Sequence, residues 1–145
     1  MWFVAAAVLL ATGLVVAVRR TYVVATVRGV SMVPTLRPGD RLLVRRRPAH
    51  RVRTGDLVVY RDGFQPRPGA GWVVKRVAAV PGQALAAGQV PERIAGDRIV
   101  PAGRLVVAGD NPAASFDSRQ FGYLPGEWLL GTVVRALPRP RDATA

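Results

Sequence analysis

Residues 2 to 18, "WFVAAAVLLATGLVVAV", form one apolar run without a charge, closed by Arg19-Arg20. Its length is at the lower bound for a bilayer-spanning helix, which needs ~17–25 apolar residues. A secretory signal peptide would carry a basic leading segment and a small-x-small cleavage site after the apolar core. Here the leading segment is Met1 and its amine, and no such site follows, so the run reads as an uncleaved anchor over residues 1–20. From residue 21 the texture changes to short apolar runs divided by turns. "YVVATVRGV" (22–30), "RLLVRR" (41–46), "DLVVYR" (56–61), "WVVKRVAAV" (72–80), "RLVVAGD" (104–110) and "LLGTVVRAL" (129–137) are strand-length and rich in Val and Leu. Gly, Pro or Asp bounds most of them, as strand ends require. Gly-Asp recurs at these boundaries, glycine supplying unusual backbone angles and aspartate bonding its own local backbone. No stretch after the anchor sustains helical periodicity. The pattern predicts a mainly β chain, a short-stranded antiparallel β domain of seven to nine strands over 21–137 behind one N-terminal transmembrane helix. The last segment, 138–145, "PRPRDATA" with one leucine before it, reads as a flexible tail.

Composition narrows the chemistry. The 145 residues include no cysteine and a single histidine, His50. Disulfides, thiolate metal sites and cysteine nucleophiles are excluded, and one histidine in an arginine-rich stretch disfavours a His-based triad or a multi-His metal centre. The formal net charge is +12. Such a chain is drawn to anionic surfaces. The cluster "RRRPAHRVR" at 45–53 reads as a solvated loop or a lipid-headgroup contact. Nucleic acid is disfavoured, because no basic-aromatic recognition pattern accompanies the arginines.

Among 21 basic residues the only lysine is Lys75. Arginine holds its proton at any workable pH, whereas a desolvated lysine can release it. On a strand, Lys75 shares one face with Val73, Val77 and Ala79. If that face is the core, burial disfavours the ammonium and leaves an amine able to act as a general base. If it is not, Lys75 is an ordinary outward strand lysine. Ser31, in "RGVSMVPTLRPGD", fits plain turn chemistry equally well when read alone. The segment "GDNPAASFDSRQFGYLP" (109–125) is either an Asx-rich surface loop or the polar shell of a site. In the second case Asp117 and Arg119 pair locally and Ser115 orients an amine. A serine and a lysine together can perform acyl transfer without histidine, the amine taking and returning the serine proton.

Four segments, in order, resemble the type I signal peptidases, membrane-anchored Ser–Lys endopeptidases. "GVSMVPTL" (29–36) is similar to their Ser-Met-x-Pro-Thr box, and "GDRLLV" (39–44) to the strand that follows it. "VVKRVAAVPG" (73–82) is similar to the Lys-Arg box, and "GDNPAASFDSRQFG" (109–122) to Gly-Asp-Asn-x3-Ser-x-Asp-Ser-Arg-x2-Gly. The resemblance implies Ser31 as nucleophile, Lys75 as general base and Ser115 as the serine that orients the lysine. It implies a structural ion pair of Asp117 with Arg119, Arg76 as the arginine after the base, and Met32 beside the substrate pocket. It further implies no metal and no cofactor. The implied substrates are preproteins with small residues before the cut, of the Ala-x-Ala type. The implied location is the cell membrane, with a single pass, an active site on the outer face and the lipid bilayer as neighbour.

The chain departs from the family pattern in three places. Where some members have a serine two positions before the nucleophile, whose hydroxyl helps bind the oxyanion, this chain has Gly29. The hole then rests on the backbone N–H of Ser31, and losing one donor costs ~2.7–4 kcal/mol of transition-state stabilisation. The interval from Lys75 to Gly109 lacks the accessory β insertion of larger members, which points to the compact, single-anchor type. Arg19-Arg20 lie after the span, where the positive-inside rule would keep the remainder in the cytoplasm, against the outer-face location. Besides general leader-peptide cleavage, two related readings are a dedicated maturation protease for one partner protein and a LexA-like self-cleaving domain. An inactive, basic, membrane-tethered β module is the non-enzymatic alternative. The self-cleaving reading needs a DNA-binding arm where this chain has its apolar run, and the inactive reading needs a missing dyad residue.

Overall fold

A computed structural model describes residues 1–65 and 71–137. The tail assigned to 138–145 lies outside the described residues. The apolar run forms one helix, α1 (Trp2–Thr21), which continues through Arg19-Arg20. None of its residues is buried. Its apolar side chains surround the whole cylinder, and with a mean hydropathy of 2.1 it is long and apolar enough to cross a bilayer. Such a helix needs an apolar surrounding, because no face of it is polar enough to prefer water.

Seven strands follow: β1 (Tyr22–Thr26), β2 (Arg41–Arg46), β3 (Leu57–Arg61), β4 (Trp72–Ala79), β5 (Arg104–Ala108), β6 (Leu124–Pro125) and β7 (Leu129–Leu137). They form one curled antiparallel sheet in the order β1-β2-β7-β3-β4-β5-β6. Each of the six predicted apolar runs contains one strand, and the two-residue β6 is the addition. Among the described residues the helical content after α1 is limited to single turns, including α2 (Glu92–Ala95) and α3 (Ser118–Phe121).

The sheet buries residues on both faces, which is why its central strands read as nearly continuous apolar runs rather than strict alternation. Val58, Tyr60, Val77, Leu105 and Val107 pack with Val52 and Leu124 on one side. Val59 packs with Val27, Met32, Leu36, Leu42 and Val44 on the other. A third cluster, around Ala79, Leu85, Val90, Val100 and Val106, closes the far end. The second cluster fixes the segment between β1 and β2. Val27, Met32 and Leu36 anchor it from below, so that Ser31 stands on a packed base.

Candidate active site

Ser31 and Lys75 line one cleft of about 150 Å³, together with Gly29, Val30, Met32, Tyr60, Trp72, Ala114, Phe116 and Phe121. Four parts of the chain distant in sequence therefore meet there. Lys75 is 3 % exposed. The buried face of β4 is Lys75, Val77 and Ala79, so the outward-pointing alternative does not hold. Removing an ammonium from water to such a place disfavours its charged form.

Ser31 sits in a turn whose geometry is set by its neighbours. Gly29 adopts φ +79°, and a side chain there would meet open space but a disfavoured left-handed backbone. The position is therefore free of a side-chain donor for a backbone reason. The Ser31 N–H is engaged by no backbone carbonyl among the described residues. The Ser31 carbonyl accepts from the Asn111 N–H at 2.9 Å, and the Asn111 side-chain amide donates to the Val30 carbonyl at 3.1 Å. Asn111 thereby clamps the serine turn from across the cleft. Gly109 is the second contact. A Cβ at that position would collide with Ser115 Oγ and with the Ser31 carbonyl oxygen, so only glycine lets the two segments approach.

The polar segment after β5 is ordered by its own side chains. Asp117 is 0 % exposed and caps α3 in a reciprocal box with Gln120. Its carboxylate accepts from the Gly109 N–H at 2.8 Å and from the Ser115 hydroxyl at 2.6 Å. Arg119 closes a two-pronged ion pair on it. Burial alone would raise the Asp117 pKa, but the bonds from Arg119, Ser115 and the Gly109 N–H outweigh it and hold the carboxyl at about 2. Ser118 Oγ accepts from the Val107 N–H at 2.8 Å, so the loop supplies β5 with side-chain acceptors. Ser115 spends its proton on Asp117, which leaves its oxygen lone pairs to accept from another donor.

Arg76 points to the opposite face of β4 from Lys75. Its guanidinium forks onto Asp110 at 2.9 and 2.7 Å and donates to the Gly55 carbonyl at 3.0 Å. Asp110 also accepts from Thr35 Oγ1 at 2.6 Å. The Arg76 hydrogen bonds hold the Asp110 carboxyl below its ordinary value against the opposing effect of burial, with Thr35 adding to them. Met32 is 2 % exposed and forms part of the cleft wall. Asp110, Asn111, Thr35 and Gly109 are the residues that sequence reading passed over. All four stand inside the quoted boxes, but the side-chain partners of Asp110, Thr35 and Asn111 lie 34 to 81 residues away, a pairing no local pattern displays.

The strand registers also locate the cleft relative to α1. Tyr22 pairs with Arg45, Arg45 with Thr132, Thr132 with Val58 and Val58 with Lys75. This row starts at the residue that follows α1. Four strand spacings of ~4.8 Å put Lys75 about 19 Å from the helix exit along the row.

The chain is similar in sequence to known proteins of one family. The family model for signal peptidase, peptidase S26, matches residues 1–91 and 86–137. A mitochondrial ATP-independent inner membrane protease subunit 1a from Arabidopsis thaliana is 34% identical over 119 residues, covering 76% of this chain and 68% of that protein. A signal peptidase I from Leptolyngbya laminosa is 33% identical over 132 residues, covering 74% and 65%. Signal peptidase I V from Bacillus subtilis is 29% identical over 141 residues, covering 74% and 80%. The chain thus spans about two thirds of the length of the first two relatives.

Proposed function

The chain belongs to the signal peptidase family, peptidase S26, and on that premise we propose that it is a membrane-bound serine endopeptidase cleaving N-terminal leader peptides from exported preproteins. The observation that carries the reading is the meeting of the only lysine, buried, with Ser31 in one cleft. Residues 1–20 serve as the anchor and 21–137 as the catalytic domain, which works on the outer face of the membrane.

In this reading the Lys75 amine is neutral when substrate binds. Ser31 Oγ attacks the scissile carbonyl and its proton passes to Lys75 Nζ. The backbone N–H of Ser31 donates to the oxyanion, since Gly29 offers no hydroxyl. Collapse breaks the C–N bond, and Lys75 returns the proton to the departing amine. Lys75 then takes a proton from water as its oxygen attacks the acyl-Ser31 ester, and returns that proton to Ser31 Oγ as the ester C–O bond breaks and the leader's carboxylate leaves. Ser115, polarised by Asp117, accepts from the amine and holds it in line. Met32 limits the pocket to small side chains, as Ala-x-Ala substrates require.

Location favours a substrate that is itself in the membrane. The cleft is lined along β4 from Lys75 back to Trp72, on the side from which α1 enters the sheet. A leader's apolar segment in the bilayer would deliver its cleavage site there. The test is to reconstitute the full chain in vesicles with a reporter preprotein and map the new N-terminus by mass. Cleavage is expected directly after a small-x-small sequence, with loss of at least tenfold when the residue before the cut is made leucine. Cleavage elsewhere, or indifference to leucine, contradicts the reading. A dedicated maturation protease would cut one such protein and spare others.

A further inference from the structure

The strand registers gather a second set of residues which, apart from Trp72 on the shared rim, lie outside the Ser31 and Lys75 cleft. The row from Tyr22 to Lys75 marks the level at which α1 joins the sheet. One step toward the helix side stands Arg46, paired with Gly131. Three steps toward it on β3 and β4 stand Arg61 and Trp72, a directly opposed pair. Trp128 immediately precedes β7 at the same end. Arg46, Arg61, Trp72 and Trp128 line a single open groove with Leu129, Leu130, Gly63 and Glu127. The groove is built rather than accidental. Gly63 lies so close to the Trp128 ring that a Cβ would meet it at 2.6 Å, and the Phe64 ring packs on Trp128 with centroids 4.8 Å apart.

Charge at this end is one-sided. Arg19 and Arg20 end α1, and Arg45, Arg46 and Arg61 end their strands, all five exposed. Among the described residues none of the five has a carboxylate partner; the salt bridges there involve Arg76, Arg98 and Arg119. The acids at this end are Glu127, in the groove, and Asp62, which accepts from the Phe64 and Gln65 N–H groups. Trp72 is 53 % exposed. An exposed indole flanked by unpaired guanidinium groups is costly to explain as a solvated surface, and is the composition of a membrane interface.

We propose that this groove binds the headgroup of an anionic phospholipid, with Arg46 and Arg61 on the phosphate and the two indoles and Leu129-Leu130 against the glycerol and upper acyl chains. The inference rests on α1 crossing the bilayer, since α1 brings this end of the sheet to the lipid surface. A guanidinium fork matches a phosphate in both geometry and charge. The occupant is a membrane lipid rather than soluble phosphate because, Glu127 apart, the groove's other walls are apolar.

Tryptophan quenching in vesicles tests it without reference to cleavage. The full chain carrying Trp2→Phe retains Trp72 and Trp128 as its fluorophores. It is reconstituted in phosphatidylcholine vesicles containing a minor share of brominated phosphatidylglycerol, or the same share of brominated phosphatidylcholine. We expect the anionic quencher to be at least about twice as effective at low salt, and the ratio to fall toward one at ~1 M salt, where screening is short-ranged. Arg46→Gln with Arg61→Gln should give the same ratio of one at low salt. Equal quenching by the two lipids in the Arg-bearing chain overturns the proposal, as does a preference that survives either high salt or the double substitution. The salt series needs no arginine variant, so misfolding of that variant leaves the result decisive. A chain that shows the lipid preference but cuts no preprotein would fail the peptidase reading and keep this one.

Discussion

At the scale of single residues, the decisive contrast is between Lys75 and the twenty arginines around it. Lys75→Arg keeps a cation of similar reach but removes the group that can lose its proton. Cleavage should fall by at least a thousandfold in a reporter assay, with the chain still in the membrane. Near-normal turnover in that variant contradicts a lysine base. For the same reason, wild-type activity should rise with pH until the amine is deprotonated. Asp117 gives a prediction about stability. Its folded pKa, about 2, is depressed below the ordinary carboxylate value. Its contribution is therefore complete above the unfolded pKa and lost as pH falls through about 2, and amounts to roughly 2 kcal/mol. In denaturant titrations, Asp117→Asn should be less stable than wild type at neutral pH, and the gap should narrow between about pH 4 and pH 2. A gap that stays constant over that range would show that the carboxylate charge is not what stabilises the loop. Residue identity made much of this legible in advance. A lone lysine on a valine-rich strand and an Asp-x-Arg in a polar loop are visible without coordinates. The direction in which Ser115 spends its proton is not, because it depends on where Asp117 and Gly109 lie.

At the scale of elements, the cleft is assembled by ties between segments that sequence reading treated separately. Arg76 on β4, Asp110 after β5 and Thr35 after the serine turn form one hydrogen-bonded chain. If their role is to hold these three segments in register, removing either end of the main pair should do equal harm. Arg76→Ala and Asp110→Asn should each slow cleavage, and the double variant should be no slower than the worse single one. Multiplicative losses would mean that the two residues act independently. Gly109→Ala should cut kcat at least tenfold through the clash with Ser115 and the Ser31 carbonyl, with the leader's KM little changed. An unaffected kcat would show that the two segments need not touch. The strands themselves were legible because each is a Val/Leu run ended by Gly, Pro or Asp. β6 was not, since two residues carry no periodicity. Sheet order and register were out of reach for the same physical reason: the partners of Asp110 and Asn111 are chosen by packing of the whole sheet.

At the scale of the molecule, α1 enters β1 with no intervening residue, and the row from Tyr22 to Lys75 sets the reach of the site. A rigid, short connection favours substrates whose cut sites emerge close to the bilayer. Inserting about ten Gly/Ser residues between Thr21 and Tyr22 frees the domain to sample a wide volume. Cleavage of a membrane-embedded preprotein should drop several-fold, while cleavage of a soluble peptide with the same site stays unchanged. Equal effects on both substrates would remove tethering from the account. The anionic-lipid groove also gives Arg19-Arg20 a place in the molecule: they border the headgroup-facing end of the sheet as well as flanking the span.

The central claim is that Ser31 is the nucleophile of a peptidase. The most direct measurement compares wild type with Ser31→Ala, both as full chains at equal density in the same vesicles, for release of mature product from one preprotein. Ser31→Ala inserts as wild type does and releases no product above the uncatalysed background if Ser31 attacks the peptide bond. Turnover by Ser31→Ala within tenfold of wild type would contradict that assignment and the mechanism built on it.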